Sequence, residues 1–317
     1  MSATSRRPKV LAFTCGDPAG VGPRAALAAV RAGALPRGVS PLFVGEREVW
    51  RRAGRRPSDG PILDTLMGLR APADGRPAAD GGRISAASFE AAIGLAARGL
   101  AAGIVTAPIA KDSWAAAGYP FRDHTDRLAR CAPSGEAEMV LGVPSRRLWC
   151  ALATRHLPLR EAVRRLDVAS VAGAARALDA ALRRLGKKRP RLALCGLNPH
   201  AGEGGLIGGE EKSILAPAAA ALRREGLSID GPLPADSAWR LHVEGAYDGL
   251  VCLHHDQALI PLKALGGLCG VNWTVGLPFV RTSPAHGTGW DAARTGRIDP
   301  SATIEAARLA ARLIYGD

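Results

Sequence analysis

Aromatic side chains are scarce in this 317-residue chain, at 4% of the total, so it has few flat surfaces on which unpaired bases could stack. Cysteine is sparse as well: six, at 15, 131, 150, 195, 252 and 269, with no C-x-x-C pair. Their scatter and mostly apolar, strand-like surroundings suit buried free thiols and point away from a disulfide framework or a thiolate metal centre. No uncharged apolar run of about 18 residues is there to cross a bilayer. The N-terminus, MSATSRRPKV, runs into VLAFTCG without the apolar core of a secretion signal. Acidic residues are outnumbered, 29 against 42 basic ones, for a net charge of +13. The excess is mostly arginine spread along helix-like segments such as LREAVRRLD and ALRRLGKKRPR, as on a solvated surface. The expectation is a cytoplasmic protein with neither a membrane nor a nucleic-acid partner.

What is present is a chain 47% hydrophobic, long enough for one large α/β domain or two lobes. Short runs rich in Val, Ile and Leu alternate with Ala/Arg-rich segments of helical period, the pattern of a mostly parallel sheet flanked by helices. The strand candidates are KVLAFTC, PLFVG, GIVTAP, RLWCALAT, RLALCGL, DGLVCLH and GVNWTVGL. Helices are expected over 86–101, 159–185, 209–225 and 300–314, and residues 68–83, GLRAPADGRPAADGGR, read as a surface loop. The fold class is α/β.

Polar residues gather where these strands end. His156 lies in ATRHLPL, His200 in GLNPHAGEGG, and His254 and His255 in CLHHDQALIPLK, each just after a strand. Assembling a site from several strand ends is how an open α/β sheet binds ligands. Three imidazoles with open positions suit a borderline divalent ion acting on an alcohol or carbonyl oxygen. Further on, Asn272, Arg281 and a glycine-flanked His286 follow, and the arginine suggests a phosphate or carboxylate on the substrate. His124 and Thr125, in PFRDHTDRL, sit at an expected helix start, where free N–H groups favour an anion. Gly20, Gly22 and Ala25 satisfy a relaxed dinucleotide fingerprint, although glycines in a tight strand-to-helix turn explain the match equally well. The span from Asp248 to Val280, with Trp273 and Phe279, is long and mostly apolar, and reads either as buried strands or as cover for a symmetric contact.

Seven motifs in order, GDPAGVGP, TAPIAK, PFRDHTDRLA, LNPHAGEGGLIGGEE, GPLPADS, HHDQALIPLK and GVNWTVGLPFVRTSPAHGT, resemble the 4-hydroxythreonine-4-phosphate dehydrogenase family of vitamin B6 biosynthesis. The resemblance runs from about Gly16 to Gly296. It implies an α/β/α fold like that of isocitrate and isopropylmalate dehydrogenases, two lobes with the active site in the cleft, and a homodimer with shared sites. The lobes would be about 1–125 plus 275–317, and 126–274. It further implies metal ligation by His156, His200 and His255, the last from the second subunit, and substrate contacts from His124, Thr125, Lys263, Asn272 and Arg281. His286, Gly287 and Thr288 fall on the cofactor side, and the resemblance argues against a true dinucleotide site at Gly20.

The implied activity is oxidation of 4-phosphooxy-L-threonine with NAD, NADP being the alternative, and with Zn, Mg, Co or Mn. The 3-keto acid formed would decarboxylate to 3-amino-2-oxopropyl phosphate. Related members act instead on threonate or erythronate 4-phosphate or on a dihydrodiol carboxylate. Lys263 is a candidate for either proton transfer or phosphate binding, and Asp236 for orienting a ligand or base. Four positions depart from the family pattern. Arg24 stands where an acid is usual, Asp123 where glycine is, His254 where tyrosine is, and Ala258 where glycine is. Asp123 puts negative charge beside an expected anion contact.

Overall fold

The structure is a computed structural model that describes residues 9–315 except 134 and 136. The reading of the N-terminal eight residues lies outside the described residues, as do the last two residues of the expected first lobe. Eleven strands occur among the described residues: β1 (Lys9–Thr14), β2 (Val39–Val44), β3 (Ile62–Leu63), β4 (Gly103–Val105), β5 (Glu138–Val143), β6 (Leu148–Leu152), β7 (Arg191–Cys195), β8 (Ser228–Leu233), β9 (Gly249–Cys252), β10 (Val271–Val275) and β11 (Val280–Pro284). The chain divides into two compact units, one up to Ala137 and again from Val271, the other Glu138–Gly270.

In the first unit the strand order is β3-β2-β1-β4-β11-β10. All these pairs are parallel except β10 with β11. Leu11, Ala12 and Phe13 are almost fully buried, as expected of a parallel strand covered on both faces, which shows a continuous apolar run rather than an alternation. Helix Ala79–Ala97 supplies Phe89, Ala92, Ile93 and Ala96 to a core shared with Trp114, Leu128 and Phe279.

In the second unit the order is β5-β6-β9-β7-β8, with β5 and β6 antiparallel and the rest parallel. Helix Val168–Arg184 buries Val171, Ala175, Leu178 and Leu182. Cys150, Cys195 and Cys252 are buried on three of these strands.

Each of the seven strand candidates contains a strand. The differences have local causes. The helix expected from 86 begins at Ala79, inside the Gly- and Asp-rich stretch, where Gly82 lets its first turns pack against the Ser113 backbone, which an added Cβ would strike. The expected helix 159–185 is two, Leu159–Arg164 and Val168–Arg184. Asp167 starts the second by accepting the Ser170 N–H at 2.7 Å, with the Ser170 hydroxyl reaching back in a capping box. The expected helix 209–225 opens as a π turn, Glu211–Leu215, before Ala216–Arg224. Four strands escaped the pattern. In β11 all five residues of VRTSP are buried, the reverse of what a polarity rule expects. Trp273 and Phe279 are buried within the chain, and the apolar span around them contains two strands and a helix, with Ile260 and Leu268 left exposed.

Candidate active site

The histidine cluster belongs to the second unit. After β6, Thr154 gives both its N–H and its hydroxyl to the Leu253 carbonyl, at 3.1 and 2.6 Å. Those bonds bring the ends of β6 and β9 together. His156 follows with φ of 50°, and His255 is the first residue of helix His255–Gly266. Their ring centroids lie 5.9 Å apart. His200 sits in a left-handed turn after β7: His200, Ala201, Gly202, Glu203 and Gly204 have φ between 42° and 77°. A left-handed backbone costs roughly 1–2 kcal/mol for each residue other than glycine, so the turn must be held from outside.

Glu211 holds it. This carboxylate is 6% exposed and accepts the Leu197 N–H at 2.9 Å, the Asn198 N–H at 2.7 Å and the Asn198 side-chain amide at 2.8 Å. A Cβ on Gly202 would come within 2.7 Å of its Oε2, so only glycine fits there. Gln257 ties two strand ends by accepting from Leu253 N–H and donating to the Gly196 carbonyl, at 2.7 and 2.8 Å.

His200 and His255 share one arrangement. His200 Nδ1 is 2.6 Å from Glu203 Oε1, and His255 Nδ1 is 2.7 Å from Asp256 Oδ1. A carboxylate on Nδ1 fixes the tautomer that leaves the Nε2 lone pair free, the usual state of a metal-bound imidazole. The donor chemistry therefore fits a divalent ion, although no three His, Cys, Asp or Glu side chains are gathered as a ready-made site among the described residues. Asp236 lines a recess of about 370 Å³ with His200, so these two expected residues come together, and Asn198 and Gln257 share the lining. Lys263 does not join them. It is exposed on helix His255–Gly266, eight positions and so about 12 Å along the axis from His255.

The anion-binding candidates lie in the first unit. Arg281 on β11 is 2% exposed, and its guanidinium donates to the hydroxyls of Thr106, at 3.1 and 2.7 Å, and Thr274, at 2.8 Å. Burial lowers its pKa to about 10. Thr274 is opposite Arg281 in the β10–β11 register, and Asn272, two residues away, points to the same face of the sheet. The Asn272 Oδ1 and His124 Nε2 atoms are buried without a hydrogen-bond partner. His124 is packed edge-on against Phe89 and Trp114, with centroids 4.5 and 5.4 Å away. Burial first and the Arg281 charge second push its pKa well below the ordinary histidine value, so it is neutral. Thr125 follows it in the first turn of helix His124–Ala129. A buried cation and a buried unpartnered ring nitrogen are expensive, and an anionic ligand accepting from His124 Nε2–H would offset both, while the Asn272 Oδ1 needs a donor and would suit a hydroxyl or amine of the same ligand.

Of His286, Gly287 and Thr288, the structure sets Thr288 against the glycine-rich turn. The Thr288 carbonyl accepts the Val21 N–H at 2.9 Å, and a Cβ on Gly20 would meet that oxygen at 2.7 Å. The N–H that precedes helix Gly22–Arg31 is thus taken by the chain itself. The close approach gives Gly20 a packing role and agrees with the reading against a dinucleotide fingerprint there.

The departures have structural partners. Arg24 bonds Asp74 at 2.5 Å and the Ala293 carbonyl at 2.9 Å. Asp123 caps helix His124–Ala129 through the Asp126 N–H, at 3.0 Å. His254 caps helix His255–Gly266, and Ala258 is buried. Glu203, Glu211, Asp256, Thr106 and Thr274 were not singled out from sequence. Only the threonine in TAPIAK, just past a strand, carried a positional hint.

Residues 42–310 match the sequence profile of the family described as pyridoxal phosphate biosynthetic protein PdxA. The chain belongs to the PdxA family. A relative from Xanthobacter autotrophicus, named 4-hydroxythreonine-4-phosphate dehydrogenase, is 41% identical over 96% of this chain and 94% of its own length. The crystal structure of a 4-hydroxythreonine-4-phosphate dehydrogenase from Klebsiella pneumoniae superposes with a TM-score of 0.82 at 36% identity, covering 96% of this chain and 99% of that one. A terephthalate 1,2-cis-dihydrodiol dehydrogenase from Burkholderia xenovorans superposes with a TM-score of 0.66 at 30% identity, covering 96% and 97%. As in other PdxA family members, the fold is α/β, and no described helix is long and apolar enough to cross a membrane.

Proposed function

We propose that this PdxA family chain oxidises 4-phosphooxy-L-threonine with NAD and a divalent metal, yielding a 3-keto acid that loses carbon dioxide to give 3-amino-2-oxopropyl phosphate. The observation that carries the reading is the state of His200 and His255, each with Nδ1 on a carboxylate and Nε2 left as a donor. An ion held by His156, His200 and His255 would lower the pKa of the substrate's secondary hydroxyl, while bound nicotinamide takes the hydride. The chain's own groups do the rest. Arg281 supplies fixed positive charge for the phosphate, and His124, Thr125 and Asn272 supply hydrogen bonds to the same end. Asp236, in the recess beside His200, is the candidate to orient a ligand or take the hydroxyl proton. Lys263 is the candidate for proton transfer or a further phosphate contact. His286, Gly287 and Thr288 form the cofactor side. The ion in this reading is Zn, Mg, Co or Mn, with three imidazoles favouring Zn or Co and water or substrate oxygens completing the shell of Mg or Mn.

The working form in this reading is a cytoplasmic homodimer whose sites take His255 from the second copy. A second reading, oxidation of a sugar-acid phosphate or a dihydrodiol carboxylate, draws support from the likeness to the Burkholderia enzyme and from the acid at Asp123. The test follows NADH formation with 4-phosphooxy-L-threonine, threonate and erythronate 4-phosphate and a dihydrodiol carboxylate, each with and without added metal. Turnover of 4-phosphooxy-L-threonine that exceeds the others supports the first reading, and turnover of another substrate alone overturns it.

A further inference from the structure

The short helix that carries His124 has little of its own to hold it. It runs for six residues, His124–Ala129, of which only Leu128 is buried, and a helix of that length does not persist alone in water. A network on the neighbouring helix Ala79–Ala97 fixes it. Glu90, on that helix, accepts both arms of the Arg127 guanidinium, at 2.6 and 2.7 Å, and the Tyr119 hydroxyl as well. Arg127 comes three residues after His124 and Tyr119 five before it, so one carboxylate holds the chain on both sides of the imidazole. The guanidinium also lies over the Phe121 ring, 5.5 Å from its centroid, and Phe89, next to Glu90, is a ring against which His124 packs. A bidentate arginine–carboxylate pair fixes direction as well as distance. The arginine side chain is only 18% exposed, so water and salt screen this pair less than they do a surface pair.

We propose that Glu90, Arg127 and Tyr119 are positioning residues that hold His124 and Thr125 where they meet the phosphate end of the substrate. The inference rests on the reading of His124, Thr125 and Arg281 as the anion contacts. His124 Nε2 is buried with no partner in the protein, so the place of the ring decides whether a ligand oxygen can reach it, and a displacement of about 1 Å is enough to lose such a contact. Glu90 and Arg127 together carry no net charge, so the network acts through geometry. That fixes the sign of its effect. Were Arg127 to draw phosphate in by charge, removing the Glu90 carboxylate would strengthen binding, whereas a pair that orients His124 weakens binding when either partner is lost.

The experiment titrates inorganic phosphate into the full chain by calorimetry, with circular dichroism to show that each variant is folded. Glu90→Gln and Arg127→Gln are each expected to weaken phosphate binding about tenfold, the scale on which one member of a coupled network acts, and the double variant to stay within about twofold of either single one. Arg127→Lys keeps the charge but not the paired arms, and is expected to fall between wild type and Arg127→Gln. Arg176→Gln breaks the two-armed Arg176–Glu225 pair of the other unit and is expected to leave phosphate affinity within about twofold of wild type. An equal loss there would trace the effect to general stability and overturn the inference, as would unchanged or tighter binding in Glu90→Gln. In turnover of 4-phosphooxy-L-threonine the two glutamine variants should raise KM with kcat within about threefold of wild type, and a loss confined to kcat overturns the inference as well. If Arg281→Ala loses phosphate binding while both glutamine variants keep it, the inference fails and the anion reading stands. If Arg281→Ala binds phosphate as wild type does, the two fall together.

Discussion

Removing the Glu211 carboxylate is the sharpest test of how the His200 turn is held. His200, Ala201 and Glu203 have φ of 53°, 54° and 42°, so three side chains are carried in a left-handed backbone at a combined cost of about 3–6 kcal/mol. Against this stand the three hydrogen bonds that Glu211 accepts from Leu197 and Asn198, at 2.7 to 2.9 Å. A bond to a charged acceptor contributes about 1.5–3 kcal/mol, and leaving buried donors unpaired costs about 1–3 kcal/mol each. The two sums are similar. Without the carboxylate the turn has no net reason to stay left-handed, and His200 leaves its position. Glu211→Ala is therefore expected to weaken metal binding by about 10–100-fold, the usual scale for losing a group that orients a ligand. Glu211→Gln, which keeps one acceptor oxygen but turns an amide toward Asn198, should fall between. The assay is calorimetric titration of zinc into metal-stripped protein, with circular dichroism to show that each variant is folded. A folded Glu211→Ala variant that binds zinc within threefold of wild type would refute the account.

Four further outcomes are expected. A chelator should abolish NAD reduction and Zn, Co, Mn or Mg should restore it to differing degrees, whereas full activity in metal-stripped protein would count against the proposed chemistry. His200→Ala should lose metal and turnover together, while Arg281→Ala should chiefly raise KM for a phosphorylated substrate, and an unchanged KM would show that the arginine does not meet the anion. Mixing the inactive variants His200→Ala and His255→Ala under subunit exchange should restore about half of wild-type activity per heterodimer if the sites are shared. No recovery despite exchange would place the donors in one chain, as the 5.9 Å between the His156 and His255 rings within a chain allows. His242 accepts the Trp149 N–H at Nε2, 3.0 Å away, and its Nδ1 is 2.9 Å from the Tyr247 carbonyl, so it must be neutral. Burial lowers its pKa from the ordinary 6.5. The unfolded chain therefore binds a proton that the folded chain refuses, and unfolding free energy should fall by up to about 1.4 kcal/mol per pH unit as pH drops below roughly 6.5, until the folded-state value is reached. Urea titrations of wild type and His242→Gln at pH 8 and 5.5 should differ in this slope, and identical slopes would remove His242 as its source.

Much of the α/β scaffold could be read from periodicity, because strands covered on both faces must be apolar throughout and helices between them must carry an apolar stripe. Leu11 to Phe13 and Leu192 to Cys195 are buried runs of this kind. The rule fails at β11, where Arg281, Thr282 and Ser283 are buried. A strand that carries polar groups into the interior looks like a loop until its partners are known. The break at Asp167 was legible in principle, since Asp three residues before Ser is a capping signal, but a continuous apolar stripe on both sides masked it.

The sequence by itself determined which residue types stand at the strand ends: histidines after β6, β7 and β9, and a glycine turn after β1. Within each unit, polar residues just past parallel strands are where an open α/β sheet binds ligands, so their chemistry could be inferred without coordinates. Only the tertiary structure decided the state of those groups. Glu203 and Asp256 set the tautomers of His200 and His255, and Glu211 holds a turn from across the loop. Thr106, 175 residues away in sequence from Arg281, receives its guanidinium. Hydrogen bonding and burial depend on which atoms meet in space, and desolvation, the cause that makes His124 neutral and lowers the pKa of Arg281, has no counterpart in a linear pattern of residue types.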